Sequence, residues 1–193
     1  MLELAVLGLL HEAPLHGYEL RQRLRATLGR ATLGTFRAFS YGSLYPTLRR
    51  MREAGWISSD EGDAAIVAGA PPLTGRRGKV VYKLTAEGKE RLQELLAEAG
   101  PSSWEDETFG VHFALFAQTD PEVRVRILEG RRSRLEERRE GVRSGLARTR
   151  GRLDRYTLQL QEHGLESVER EVRWLTELIE TERRAPRTRP PRP

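Results

Sequence analysis

Apolar residues run almost without interruption over residues 2 to 12, LELAVLGLLHE, so this stretch reads as a helix buried on all sides and stopped by Pro14. Beyond Pro14 the pattern narrows to a stripe. Tyr18, Leu20, Leu24 and Leu28 recur at near-helical spacing with arginines between them, which predicts a second helix ending around Gly29. A polar and aromatic connector, RATLGTFRAF, leads to a third segment in which Leu44, Leu48 and Met51 keep helical spacing. Pro46 belongs in the first turn of that helix, where no backbone N–H is needed, and Gly55 supplies its stop, so the helix is about ten to twelve residues long.

The period then changes. Residues 56 to 59, WISS, are short and partly alternating, and KVVYKLT at 79 to 85 sets Val80, Tyr82 and Leu84 against Lys79, Val81 and Lys83, as the strands of a hairpin do. Three helices followed by a two-stranded wing make a winged helix-turn-helix. The segment between the strands, DEGDAAIVAGAPPLTGRRG, is far longer than a tight hairpin loop and rich in Gly, Pro and Ala, which predicts a mobile wing loop over 60–78. Thr85 is placed to cap a fourth helix with Glu87 in its first turn and Leu92, Leu95 and Leu96 on one side, up to Gly100 and Pro101.

The remainder is helical. Phe109, Phe113 and Phe116 are spaced four and three apart, and Asp120 and Pro121 open a further helix. From Val142 the series Val142, Leu146, Thr149, Leu153, Tyr156, Leu160 alternates four and three, and after Gly164 the residues Leu165, Val168, Val172, Leu175 and Ile179 continue that alternation on a helix loaded with Glu and Arg. A salt-bridged hairpin within one chain is one solution. The expected one is a dimer, because a narrow apolar stripe on a long charged helix needs a facing partner and a second copy is the simplest source. The expected architecture is mainly α: a winged helix-turn-helix DNA-binding domain over 1–100 with its wing at 56–85, a coiled-coil-like dimerisation domain over 101–184, and a disordered Arg/Pro tail over 185–193.

Charge distribution sharpens this picture. Net charge is +5, yet residues 14 to 52 carry eight arginines against the single acid Glu19, while residues 101 to 182 carry fourteen arginines against seventeen acids. The positive field therefore belongs to the N-terminal half. Five more arginines and no acid fall in RRAPRTRPPRP at the end, where prolines forbid helix. The chain has no cysteine, which excludes disulfides, thiolate metal sites and cysteine nucleophiles. Its N-terminal apolar run is too short for a membrane span and has no basic leader, so a soluble, cytoplasmic protein with no membrane partner is expected.

These features converge on FRAFSYGSLYPTLRRMREAGWI, residues 36 to 57. If Leu44, Leu48 and Met51 face the core, Ser43, Tyr45, Thr47, Arg49, Arg50 and Arg52 form the outward face, with Tyr41 just ahead of it. The major groove of DNA admits one helix, whose donors and acceptors read base edges while surrounding Arg, Ser and Tyr bind phosphates. Double-stranded DNA is the partner this face fits.

Three blocks also carry a resemblance. LGLLHEAPLHGYEL, GSLYPTLRRMREAGWI and RRGKVVYKLTAEGKERL, in that order, resemble the PadR family of bacterial transcriptional regulators over about residues 1 to 95, and the helical remainder is similar to the longer subgroup with a C-terminal dimerisation domain. The resemblance implies a homodimeric winged-helix protein, usually a repressor, acting on a pseudo-palindromic operator. It also implies that Tyr18, Ser43 and Tyr45 contact phosphates or bases, and that Arg76, Arg77 and Lys79 are wing contacts. The loop at 60 to 75 departs from the family's short wing. A small hydrophobic or aromatic effector is a further implication, with Trp104, Phe109, Phe113 and Phe116 the aromatic residues to line its site, although the four-and-three spacing of the three Phe is what a buried core stripe gives and favours packing.

Other classes fare worse. His11, His16, His112 and His163 are scattered, and no HExxH or GxSxG pattern is present. The wing loop fails as a phosphate-binding loop because Leu73 stands where a glycine is required and Val80 where Ser or Thr is. No enzyme, cofactor or metal is expected; a helical adaptor that binds another protein, without sequence-specific DNA binding, is the alternative.

Overall fold

The structure is a computed structural model that describes residues 1–28, 43–60 and 80–185. The connector after the second helix, the wing loop beyond Asp60 and all of the Arg/Pro tail except Ala185 lie outside these residues. The chain forms two compact units, one of Met1–Ala97 with Asp106–Gln118 and one of Glu98–Glu105 with Thr119–Pro193.

The first unit is built on α1 (Leu2–Glu12), whose residues Leu4 through Leu10 are all buried, as an all-round apolar helix requires. After Pro14 come β1 (Leu15–His16) and α2 (Gly17–Leu28), which turns Leu20 and Leu24 into the core. Then follow α3 (Leu44–Glu53), β2 (Ile57–Asp60), β3 (Val81–Leu84) and α4 (Ala86–Ala97). The strands form one antiparallel sheet in the order β1-β3-β2, with Ile57 opposite Leu84 and Leu15 opposite Tyr82. β1 extends the expected hairpin to three strands.

The turn after α3 fixes where the wing departs. Gly55 adopts the left-handed conformation at φ 77°, Trp56 N–H donates to Met51 O at 3.0 Å and Gly55 N–H to Arg52 O at 3.0 Å, which together close the helix in a Schellman turn. Thr85 sews the far end of the wing to the same turn. Its hydroxyl donates to Gly55 O at 2.7 Å and accepts from Gly88 N–H at 3.0 Å, so one side chain both caps α4 and ties it to the end of α3. Gly88 is buried against this junction: a Cβ there would stand 2.0 Å from Trp56 O.

Short helix α5 (Pro101–Trp104) belongs to the second unit, whereas α6 (Phe109–Ala114) and Leu115 belong to the first. Val111 and Leu115 join the same buried cluster as Leu4, Leu7 and Leu20. This differs from the boundary at residue 100 that sequence pattern suggests, because a stripe of apolar residues says that a segment packs but not on what.

In the second unit, α7 (Pro121–Thr149) and α8 (Arg155–Arg184) pack as a helical hairpin joined by a 3-10 turn at Arg150–Arg152. The turn is set by Asp154, whose carboxylate accepts from Tyr156 N–H at 2.9 Å and Thr157 N–H at 3.1 Å and so starts α8. It interrupts the apolar series expected to run from Val142 to Leu160, and Gly164 lies inside α8. Val172, Leu175 and Ile179 are buried in the single chain. Within the chain α8 packs on α7, while Leu165 and Val168 are half-buried.

The hairpin also buries a cation that no pattern marks. Arg131 is 0% exposed; its Nε and Nη2 donate to Glu171 Oε1 at 3.0 and 2.9 Å, and its Nη1 donates to Trp104 O at 3.1 Å. A single guanidinium thus joins α5, α7 and α8. The half-buried pair Arg124–Glu182 at 3.0 Å and the more exposed pair Arg143–Glu169 at 2.6 Å repeat the pairing along the hairpin at lower energetic value. No described helix is long and apolar enough to cross a membrane.

Candidate nucleic-acid interface

α3 sits on the core through Leu44, Leu48 and Met51, all at most 1% exposed. The opposite side carries Tyr45, Arg49, Arg50 and Arg52, all exposed, and Ser43 stands exposed immediately ahead of the helix. Thr47 is a correction to the outward face: it is buried at 3% exposure, and its hydroxyl accepts from Arg50 Nη2 at 3.2 Å. Three residues after Leu44, position 47 falls on the core side of the helix, and a threonine is tolerated there because Arg50 satisfies its oxygen. Arg49 and Arg52 have no carboxylate partner among the described residues.

Two further elements bring polar rings to this side. Tyr18, on the first turn of α2, is 67% exposed, and its hydroxyl accepts from Gln22 Nε2 at 3.0 Å. Gly17 lies under two tyrosines: a Cβ placed on it would be 3.5 Å from Tyr45 Cε1 and 3.5 Å from Tyr82 Cε2. The start of α2, the start of α3 and the middle of β3 therefore meet at one spot, which brings Tyr18 and Tyr45 onto neighbouring first turns. Helix first turns present unsatisfied N–H groups and positive dipole ends, the arrangement suited to phosphate. At the base of the wing Lys83 pairs with Asp60, so that lysine is not a free cation.

Tyr41, Arg76, Arg77 and Lys79 lie outside the described residues. The aromatic residues assigned to an effector separate: Phe109 is fully buried in the first unit, its ring centroid 5.7 Å from that of Phe113, which in turn lies 5.0 Å from Phe116. Trp104 belongs to the second unit, its ring packed over Gly130 of α7. Among the described residues no group of His, Asp and Glu is arranged to hold a metal ion.

His112, unremarkable in the sequence, is buried on α6 with Nε2 lacking a hydrogen-bond partner. Loss of hydration, with a smaller contribution from the positive amino terminus, pushes its pKa down to about 4. Its signal was absent from the sequence because one histidine in a helical stretch looks the same whether it faces core or solvent.

A three-helix core with a β-wing and a charged helix face has the form of a winged-helix DNA-binding domain. The family model described as the transcriptional regulator PadR-like family matches residues 6–94 of the chain. Solved structures similar to it include Bacillus subtilis PadR in complex with operator DNA, 18% identical, covering 94% of this chain and 98% of that one at a TM-score of 0.41. The same protein in complex with p-coumaric acid matches with the same values. The PadR-like transcriptional regulator BC1756 from Bacillus cereus is 20% identical over 95% of this chain and 98% of its own, at a TM-score of 0.39. At these TM-scores the likeness carries no argument of its own. No curated protein matches the chain.

Proposed function

We propose that the protein is a cytoplasmic homodimeric repressor that binds a pseudo-palindromic operator through α3 and is released from it by a small hydrophobic or aromatic effector. The observation that carries this reading is the outward face of α3, where Arg49 and Arg52 are exposed without carboxylate partners among the described residues, beside Tyr45 and Ser43. An ordinary solvated helix pairs its cations at i±3 or i±4, as Arg132 and Glu136 do on α7. Cations left unpaired beside two exposed tyrosines suit a phosphate backbone.

In this reading Arg49, Arg50 and Arg52 enter or flank the major groove, and Tyr18, Ser43 and Tyr45 bind phosphates at the two helix starts. Tyr41, Arg76, Arg77 and Lys79 complete the contact from the connector and the wing. Two copies place two such helices about one helical turn apart, ~34 Å, on a symmetric site. Leu160, 68% exposed, and Tyr156, 78% exposed, form the apolar row of α8 that remains open to the second copy once Val172, Leu175 and Ile179 are spent on α7. Phe113 is the ring offered to an effector.

Selection of random duplexes with the purified protein tests the whole reading. A two-fold symmetric motif preferred by roughly a thousandfold or more over scrambled sequence is expected; equal weak binding to all sequences would put the adaptor in its place. Arg49→Ala is expected to weaken binding to every duplex or to relax the preference at one position, with the salt slope falling by about one in the former case. Unchanged affinity and slope remove Arg49 from the interface.

A further inference from the structure

Residues 101 to 182 carry fourteen arginines against seventeen acids, but that charge is not spread evenly. Residues 141 to 155 hold five of the fourteen arginines found between 101 and 182, with Asp154 as the sole acid among them. Folding gathers these at one place, the α7–α8 turn. Two of the five are neutralised, Arg143 by Glu169 at 2.6 Å and Arg150 by Glu162 at 3.0 Å. Asp154 is occupied by the first turn of α8 and by the Thr157 hydroxyl, which donates to its Oδ2 at 2.5 Å. Arg148, Arg152 and Arg155 are exposed and meet no carboxylate among the described residues.

Local stability does not account for all three. Arg148, in the last turn of α7, is favoured by the negative end of that helix, so its placement has a structural reason. Arg152 and Arg155 sit at the opposite kind of end, the positive start of α8, where a cation costs a few tenths of a kcal/mol and an acid would be preferred. Tyr156, 78% exposed, stands next to them. Exposed arginines with no carboxylate among the described residues, two of them at the positive start of α8, are matched by a partner of dense, regular negative charge.

We infer that the α7–α8 turn is a second contact for the phosphate backbone of duplex DNA, made by Arg148, Arg152 and Arg155 and blind to base sequence. It rests on the DNA-binding reading for the choice of duplex as the ligand, but not on α3 being the reader. Duplex DNA carries one charge per about 1.7 Å of axis, so three guanidinium groups on one turn find phosphates in any register, and each releases counterions.

The test uses the full chain with Arg148→Gln, Arg152→Gln and Arg155→Gln combined, beside a version with lysine at the same three positions. Affinity for a selected and a scrambled duplex is measured across a salt series. The glutamine variant is expected to lower the salt slope by about 2.7 per chain, three phosphates at about 0.9 each. It should weaken both duplexes by the same factor and leave the selected motif unchanged, while lysine restores the slope and thermal melting stays the same in both variants. An unchanged slope overturns the inference and leaves the turn to an acidic protein surface or to solvent. A slope lost with glutamine and not recovered with lysine, or a loss confined to the selected duplex, overturns it as well. If Arg49→Ala leaves binding intact while the glutamine variant loses slope, the turn stands and α3 falls as the reader; the reverse keeps α3 and removes the turn. A wild-type chain that binds no duplex at any salt ends both.

Discussion

At the scale of single residues, Gly88 and His112 carry consequences that composition hides. Alanine at 88 would gain about 1 kcal/mol of helix propensity, but its Cβ would lie 2.0 Å from a backbone carbonyl that cannot swing away as a side chain can. Overpacking costs of about 1–3 kcal/mol or more then dominate, so Gly88→Ala is expected to destabilise the first unit by about 2 kcal/mol net in denaturant unfolding. His112 adds a pH dependence. Because burial holds its folded pKa at about 4, below the ordinary 6.5, both states are neutral above 6.5, and only the unfolded chain takes up the proton between 6.5 and 4. Stability therefore drops as pH falls through that window and levels off below it. Thermal midpoints measured from pH 7 to 4.5 should fall more steeply in the wild type than in His112→Gln.

At the scale of elements, what was legible and what was not divides along a physical line. Helices with their own punctuation could be read: Pro14 ends α1, Gly55 ends α3, Thr85 starts α4, and Asp120, which accepts from Glu122 N–H at 2.8 Å, starts α7. Each of these residues acts on its own neighbours, so the signal is local. β1 was missed because two residues hold no period, and the outward assignment of Thr47 failed because a buried hydroxyl depends on Arg50 to be tolerated. The α7–α8 hairpin could be named only as one of two solutions, because one apolar stripe fits either a neighbouring helix or a second chain. Arg131 is the least predictable of all, since arginine is the residue sequence reading sends to the surface. Its pairing makes a sharp test: Glu171→Ala removes the carboxylate that accepts from both Nε and Nη2 of this buried guanidinium and should cost about 3–5 kcal/mol, whereas Arg131→Met combined with Glu171→Leu should recover most of that loss.

At the scale of the whole molecule, assembly is expected to use the open row on α8 rather than the closed one. Leu160→Glu should shift sedimentation from dimer toward monomer with helix content unchanged. Removing residues 165–184 should instead unfold the second unit, because α7 packs on α8, Ile127, Leu128 and Leu135 of α7 are buried, and the buried Arg131 would lose Glu171. A shared loss of dimer with different circular dichroism separates the two cases. The path of the chain has a last consequence. Residues 98–105 belong to the second unit, 106–118 return to the first, and 119 onward belong to the second again. Neither module is a contiguous stretch that recombination can cut out with one break. A hybrid regulator that borrows a reading head from this protein by a single junction near residue 100 inherits a head without Val111 and Leu115, so viable exchange requires the junction to fall after Gln118 and to carry α5 along as a passenger.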